Sequence, residues 1–355
     1  MRIQLIDDLR GLAMMYVILI HVLFWLAPFG NSIFPGFLLI EMPLFFMVTG
    51  MANYFAHTDD LRRYYISRLQ RLLVPYWCYA LLASLLSGGL GLYKDKWPAG
   101  GDSFADIVLS WLNPFGTWLT TLPYLSWAMW FIPVYLLVMA VIPFLKQSFL
   151  AEVWQTRILP ALFFPSLVAL FQWMGWQEHK LLWETVFYAF WVYAGFFFIR
   201  YVHEKSSREK VLPCLGGFII GIALMIALYC NNLGSLDMQA NKFPPNVIFF
   251  CYTFGIMSIV VLLMEQIHHG IQCLQKNRIF NWIFSVYRDN CYSVYLYHPF
   301  AFLILKGILH LLHAESFLHQ HPILLIAICY PFLLVTAAAI ARLFSPIEKI
   351  KRIKI

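Results

Sequence analysis

The sequence predicts an all-α, polytopic membrane protein of about ten transmembrane helices with both termini cytoplasmic, and three observations carry that prediction. The first is composition. The 355 residues are 61% hydrophobic and 12% charged, with a mean hydropathy of +0.70, whereas a soluble domain carries about 25% charged residues. The second is the recurrence of apolar runs of about 18 to 22 residues, long enough to cross roughly 30 Å of hydrocarbon as a helix. The third is the placement of charge. With the N-terminus inside, the loops near 57–71, 146–157, 203–212 and 267–288 and both ends of the chain hold most of the basic residues, including Arg2, Lys349, Lys351, Arg352 and Lys354. Of 25 Lys and Arg, only Lys94, Lys96, Lys180, Lys242 and Lys306 fall on the other side. That asymmetry sets the orientation by the positive-inside rule and requires an even number of spans.

Several classes are excluded on the same grounds. The net charge of +7 is scattered through the loops between spans, which fits a basic membrane surface and not nucleic-acid binding. No hydrophilic block is long enough for a fused soluble domain, so residues 1–355 are expected to form a single transmembrane domain. Acidic residues precede the first span and no small-residue cleavage site follows it, which argues against a cleaved signal peptide. Cys78, Cys214, Cys230, Cys251, Cys273, Cys291 and Cys329 are scattered. They lack metal-ligand spacing, and their odd number argues against a complete disulfide framework. There is no Gly-rich nucleotide loop and no Ser-His-Asp motif.

The expected spans are 9–28, 33–56, 72–92, 125–145, 158–175, 184–202, 213–231, 245–266, 289–312 and 322–344. The first carries Asp7, Asp8 and Arg10 at one end and His21 inside. Arg10 and His21 are eleven residues apart, which brings them back to within roughly 20° of each other on one helix face, with His21 about 16 Å deeper. Asp7, one turn before Arg10, leans to the same side. Ionisable groups inside a membrane point to function by default; the plainer account is a headgroup anchor at Arg10 and a histidine bonded to a neighbouring helix. A guanidinium at the membrane edge and an imidazole at mid-depth suit a ligand with an anionic head and a long reactive arm.

The second span begins at Glu41 and runs to Thr49-Gly50, where a hydroxyl and a bare backbone allow close helix approach. Arg68 and Arg71 precede the third span and are neighbours on one helix face, with Pro75 expected to tilt or kink its start. Facing inward they bind phosphates; facing headgroups they are anchors, as Arg62 and Arg63 are expected to be. The stretch 93–124 is the longest outer loop and too apolar for a flexible linker, so it lies on the surface or folds back. Trp127 and Trp130 then fit an interfacial belt, and Pro133 opens the following helix to free a carbonyl. Glu184 starts the sixth span, and Gly216-Gly217 and Gly221 allow tight packing in the seventh. The ninth places Ser293, Tyr295 and His298 just before Pro299. His298 either serves the site or bonds a carbonyl that the proline frees.

Taken together, Asp7-Asp8-Leu9-Arg10-Gly11 with His21, Phe45 to Gly50, Arg68 to Arg71 with Pro75, Trp130 to Pro133, Tyr292 to Pro299 and Ser345-Pro346-Ile347-Glu348 resemble acyltransferase family 3, integral membrane O-acyltransferases. The stretches occur in the family's order along the whole chain. Thr49 stands where the family more often has serine. No extracellular esterase-like domain follows the tenth span, so a second relay step would need another protein.

The resemblance implies transfer of an acyl group, usually acetyl, from cytoplasmic acyl-CoA to a sugar hydroxyl of an envelope glycan or its lipid-linked precursor, at the bacterial inner membrane. Catalytic roles fall on His21 with Arg10 and Asp7, and donor-binding roles on Arg10, Arg68 and Arg71. Trp130, Tyr295, His298 and Glu41 are the candidates for contact with the acceptor, and Tyr295, Trp130 and Thr49 for stabilising the tetrahedral oxyanion. Acyl-CoA is then a co-substrate, no resident cofactor or metal is expected, and the partners are the glycan acceptor and membrane lipids. The competing class is a transporter or flippase of a glycolipid or small anionic solute, with Arg10, His21 and His298 along the path. Inverted repeats would favour it, and the sequence has none.

Overall fold

A computed structural model describes residues 4–27, 29, 33–58, 60–94, 96–101, 103–151 and 153–348. Arg2, Lys349, Lys351, Arg352 and Lys354, which entered the charge asymmetry, lie outside the described residues, as does the expected end of the first span at Pro28. Helices α1 (Gln4–His21), α2 (Glu41–Tyr54) and α3 (Leu61–Lys94) open the chain. They are followed by α4 (Phe104–Leu112), α5 (Pro123–Trp127), α6 (Phe131–Leu150), α7 (Trp154–Met174), α8 (Lys180–Phe197) and α9 (Ser207–Cys230). The last six are α10 (Met238–Lys242), α11 (Val247–Leu274), α12 (Arg278–Asp289), α13 (Cys291–Leu311), α14 (Glu315–Gln320) and α15 (Pro322–Glu348).

The described residues contain no strand, and 10 helical stretches are long and apolar enough to cross a membrane. The all-α, multi-span expectation is met. Three boundaries differ from it. The basic stretch expected as a loop up to residue 71 is helical from Leu61, because Asp60 caps it: its carboxylate accepts from Arg63 N at 2.9 Å, and Arg, Leu and Gln are good helix formers. Pro75 sits inside this helix and does not divide it. The stretch 93–124 contains α4, started by a capping box between Ser103 and Asp106. Finally, α12 occupies part of the expected 267–288 loop. Asn277 starts it by accepting from Ile279 N and Phe280 N, and Phe284, Val286 and Tyr287 are buried while Ile279 is exposed.

Contacts divide the chain into two compact units that interleave in sequence: Met1–Thr58 with Leu137–Phe284, and Asp59–Leu136 with Ser285–Ile355. In the first, α2 packs on α1 and α8, α7 on α8, and α9 on α11. Gly50 and Gly195 let α2 and α8 touch through their backbones. A Cβ on Gly50 would lie 2.0 Å from Val192 O, and one on Gly195 would lie 2.2 Å from Met47 O. Close approach is thus the reason for Gly50, as expected. In α9 the same holds for Gly221, whose Cβ would meet Cys251 O at 2.7 Å, but not for Gly216, which faces open space. Gly195→Leu is expected to destabilise the protein by at least the roughly 1–3 kcal/mol typical of overpacking, read as a lowered Tm in detergent. An unchanged Tm would contradict the backbone contact.

In the second unit, α3 packs on α4 and α15, and α13 on α15, α5 and α3. The 93–124 stretch folds back onto α3 through hydrogen bonds to backbone carbonyls. Tyr76 Oη donates to Trp111 O at 2.7 Å, Trp77 Nε1 to Leu112 O at 3.1 Å and Tyr79 Oη to Leu125 O at 2.7 Å. Trp111 Nε1 closes the turn onto Leu119 O at 2.8 Å. Of the loop's own aromatics, Trp111 is a fully buried anchor with its polar tip satisfied, whereas Phe104 and Phe115 are exposed.

Candidate functional site

Helix α1 is unbroken from Gln4 to His21, so the spacing argument holds: Arg10 and His21 share one face. Most of α1 is buried, whereas Arg10 and His21 are half-buried. At His21 the helix changes character. Val22–Leu26 forms a π-turn, with Ala27 N donating to Val22 O at 3.0 Å. Such single π-turns are frequent at functional sites because the extra residue re-aims side chains. Here the His21 and Trp25 rings stack with centroids 3.9 Å apart and planes within 8°. The indole holds one face of the imidazole.

At the other end of α1, Arg10 Nη1 donates to Asp7 Oδ1 at 3.4 Å. The next carboxylate, Asp8, is fully buried, and its Oδ2 lies 3.0 Å from His268 Nδ1 on α11. Gln272 Nε2 reaches His268 Nε2 at 3.0 Å. With the amide as donor, the imidazole carries its proton on Nδ1, the nitrogen nearer Asp8. This clamp between α1 and α11 went unseen in the sequence; its only signal was a His268-His269 pair at the end of an apolar run.

Glu41 opens α2 with its side chain only 4% exposed and forms an ion pair with Lys242 of α10, also 4% exposed. Around the pair, Tyr16 Oη donates to Leu38 O at 2.6 Å, and Tyr252 Oη donates to Phe37 O. Both hydrogen bonds pin the 3₁₀ turn Phe34–Leu38 that precedes α2. Lys242, expected in a loop, is thus a buried partner of the first unit.

The remaining candidates belong to the second unit. Arg68 lies over the Tyr64 ring at 5.5 Å. Arg71 Nη2 is 3.6 Å from Glu348 Oε1, and Glu348 Oε2 accepts from Ser293 N at 3.2 Å and Ser293 Oγ at 2.7 Å. The carboxylate near the end of α15 therefore joins Arg71 to the start of α13, a role the motif Ser345–Glu348 did not disclose. The helix break expected at Pro133 comes earlier: α5 ends at Trp127, and Trp130 lies in the turn before α6. Tyr295 Oη donates to Ala128 O in that turn. His298 is fully buried, and its Nδ1 is 2.6 Å from Tyr295 O. That carbonyl is the one Pro299 leaves without its helical donor. Of the two alternatives for His298, the described contact is with the freed carbonyl.

A family model described as an acyltransferase domain matches residues 3–342, nearly the whole chain. The chain belongs to acyltransferase family 3. Its membership and ten apolar helices make it a multi-pass membrane acyltransferase. The match to acyltransferase family 3 takes in Arg10, His21, Arg68, Arg71, Trp130 and His298 but stops short of Glu348. No curated protein and no solved structure matches the chain.

Proposed function

We propose that this acyltransferase moves an acyl group, acetyl in the simplest case, from cytoplasmic acyl-CoA to a sugar hydroxyl of a cell-envelope glycan or its lipid-linked precursor. His21 is the general base. The observation that carries this reading is the unbroken α1 helix from Gln4 to His21, which holds Arg10 and His21 on one face about 16 Å apart in depth. Within the first unit the phosphates of coenzyme A stay with Arg10 and the pantetheine arm spans the depth to the imidazole, while Arg68 and Arg71 of the second unit are the further donor-binding candidates.

The acceptor oxygen then attacks the thioester carbonyl carbon while His21 removes its proton. The tetrahedral intermediate collapses with cleavage of the C–S bond. The imidazolium returns the proton to the departing thiolate, leaving an O-acyl sugar and free coenzyme A. Stacking on Trp25 keeps the ring oriented for both transfers. Asp7, 3.4 Å from Arg10, fixes the guanidinium. The location that fits is the bacterial inner membrane with both termini cytoplasmic, which puts Arg10 on the donor side. Glu41, Trp130, Tyr295 and His298 remain the acceptor-side candidates, acting through contact or by shaping the path.

Arg68→Ala with Arg71→Ala is expected to raise the KM for acyl-CoA by about 10-fold or more, since a charge-assisted hydrogen bond contributes about 1.5–3 kcal/mol. The measurement is transfer rate against donor concentration at matched protein levels. A normal KM with reduced protein in the membrane would make the pair an anchor.

A further inference from the structure

Beyond the reaction site, the first unit contains a groove whose cavity volume is about 380 Å³. Phe190, Ala194, Phe197 and Phe198 of the α8 span form its floor, with Phe254 and Met257 of α11 beside them. Ala161 of α7 and Gly217 of α9 lie on its walls, and Trp191 is at the deep end. Only 17% of the membrane-spanning windows of α7 and α9 is buried, against 83% of the span that contains α8. The two wall helices are therefore the lipid-facing ones, and the groove is cut into a membrane-facing surface. From Phe190 to Val202 it runs twelve residues along one span, about 18 Å at 1.5 Å per residue. That is slightly more than one leaflet of a hydrocarbon core about 30 Å thick.

Charge is confined to one end. Lys205, Glu209 and Lys210 line the mouth. Lys210 is already committed: its Nζ is 2.5 Å from Glu265 Oε1. Glu209 uses Oε2 to accept from Ser206 N and Oγ in a helix cap, with the Lys205 ammonium in its field. Apart from Lys210, the described residues of the mouth thus present one ammonium, Lys205, beside one carboxylate, Glu209, as a pair of opposite charges. An anionic headgroup would meet only half of that pair. A headgroup with a phosphate and an ammonium meets both.

We propose that this groove holds one acyl chain of a zwitterionic, amine-bearing phospholipid, with the phosphate at Lys205 and the ammonium at Glu209. The chain fills the aromatic and small-residue channel that the walls leave open to the bilayer. The site is independent of the acyl-transfer reading and stands or falls separately from it.

The test is native mass spectrometry of the full-length protein. It is reconstituted in nanodiscs with equal amounts of phosphoethanolamine and phosphoglycerol lipids of identical chains, then released into mild detergent. The wild type is expected to retain one phosphoethanolamine lipid per chain. Ala194→Trp, which fills the channel, is expected to lose it; Ala161→Trp blocks the opposite wall if Ala194→Trp does not fold. Lys205→Ala combined with Glu209→Gln is expected to abolish the preference between headgroups. Complete delipidation of the wild type, equal retention of phosphoglycerol, or undiminished retention in the filled variants would each overturn the proposal.

Discussion

His21→Ala is expected to lower acyl transfer by about 10²–10⁴-fold, the range over which a positioned general base contributes, while leaving the protein folded in the membrane. The structural argument for a clean loss is local. His21 is half-buried, and its ring stacks on Trp25. Removing the imidazole takes away the proton acceptor. The α-to-π change at Val22 begins after His21, so the backbone of α1 should persist. The measurement is product formed per mole of folded protein, with Tm as the control for integrity. An active His21→Ala variant would take His21 out of the mechanism. A Trp25→Ala variant of intermediate activity would agree with a ring-orienting role for the indole.

Lys242→Ala carries the second large effect, on stability. Lys242 and Glu41 form a buried ion pair with each side chain 4% exposed. Breaking such a pair by removing one partner costs about 3–5 kcal/mol, because the remaining charge is left in a low-dielectric interior. Replacing both by uncharged residues of similar volume is often neutral. Lys242→Ala is therefore expected to lose most of its thermal stability in detergent, and Glu41→Gln with Lys242→Met to recover it. Equal Tm values for Lys242→Ala and wild type would contradict burial of the pair. The double variant also separates structure from recognition: a stable protein with normal transfer would remove Glu41 from acceptor contact, whereas a stable protein with impaired transfer would keep it there.

What was legible in the sequence follows physical range. Apolar run length sets span number directly, so ten helices were readable. The link between Arg10 and His21 was readable because an unbroken helix converts spacing into direction. Pro299 announced a freed carbonyl, and bonding it was one of the two readings open for His298. Elements without an apolar run of spanning length were not readable: α4 and α12 are short and half-exposed, and their starts rest on the local caps at Ser103 and Asn277. Partnerships across long separations were equally hidden. Nothing local to Asp8 names His268, nothing near Glu41 names Lys242, and Arg71 gives no hint of Glu348. Each joins elements that only the tertiary fold brings together.

The central claim is transfer from a cytoplasmic acyl-CoA to an envelope glycan or its lipid-linked precursor, and sidedness tests it most directly. Radiolabelled acetyl-CoA, which does not cross membranes, is supplied to inverted and to right-side-out vesicles containing the protein and native envelope lipids. The account predicts ester-linked label in the glycan or glycolipid fraction of inverted vesicles, dependent on His21, and none in right-side-out vesicles. Label incorporated equally by the His21→Ala protein, or absent from inverted vesicles across the common acyl-CoA donors, would contradict it.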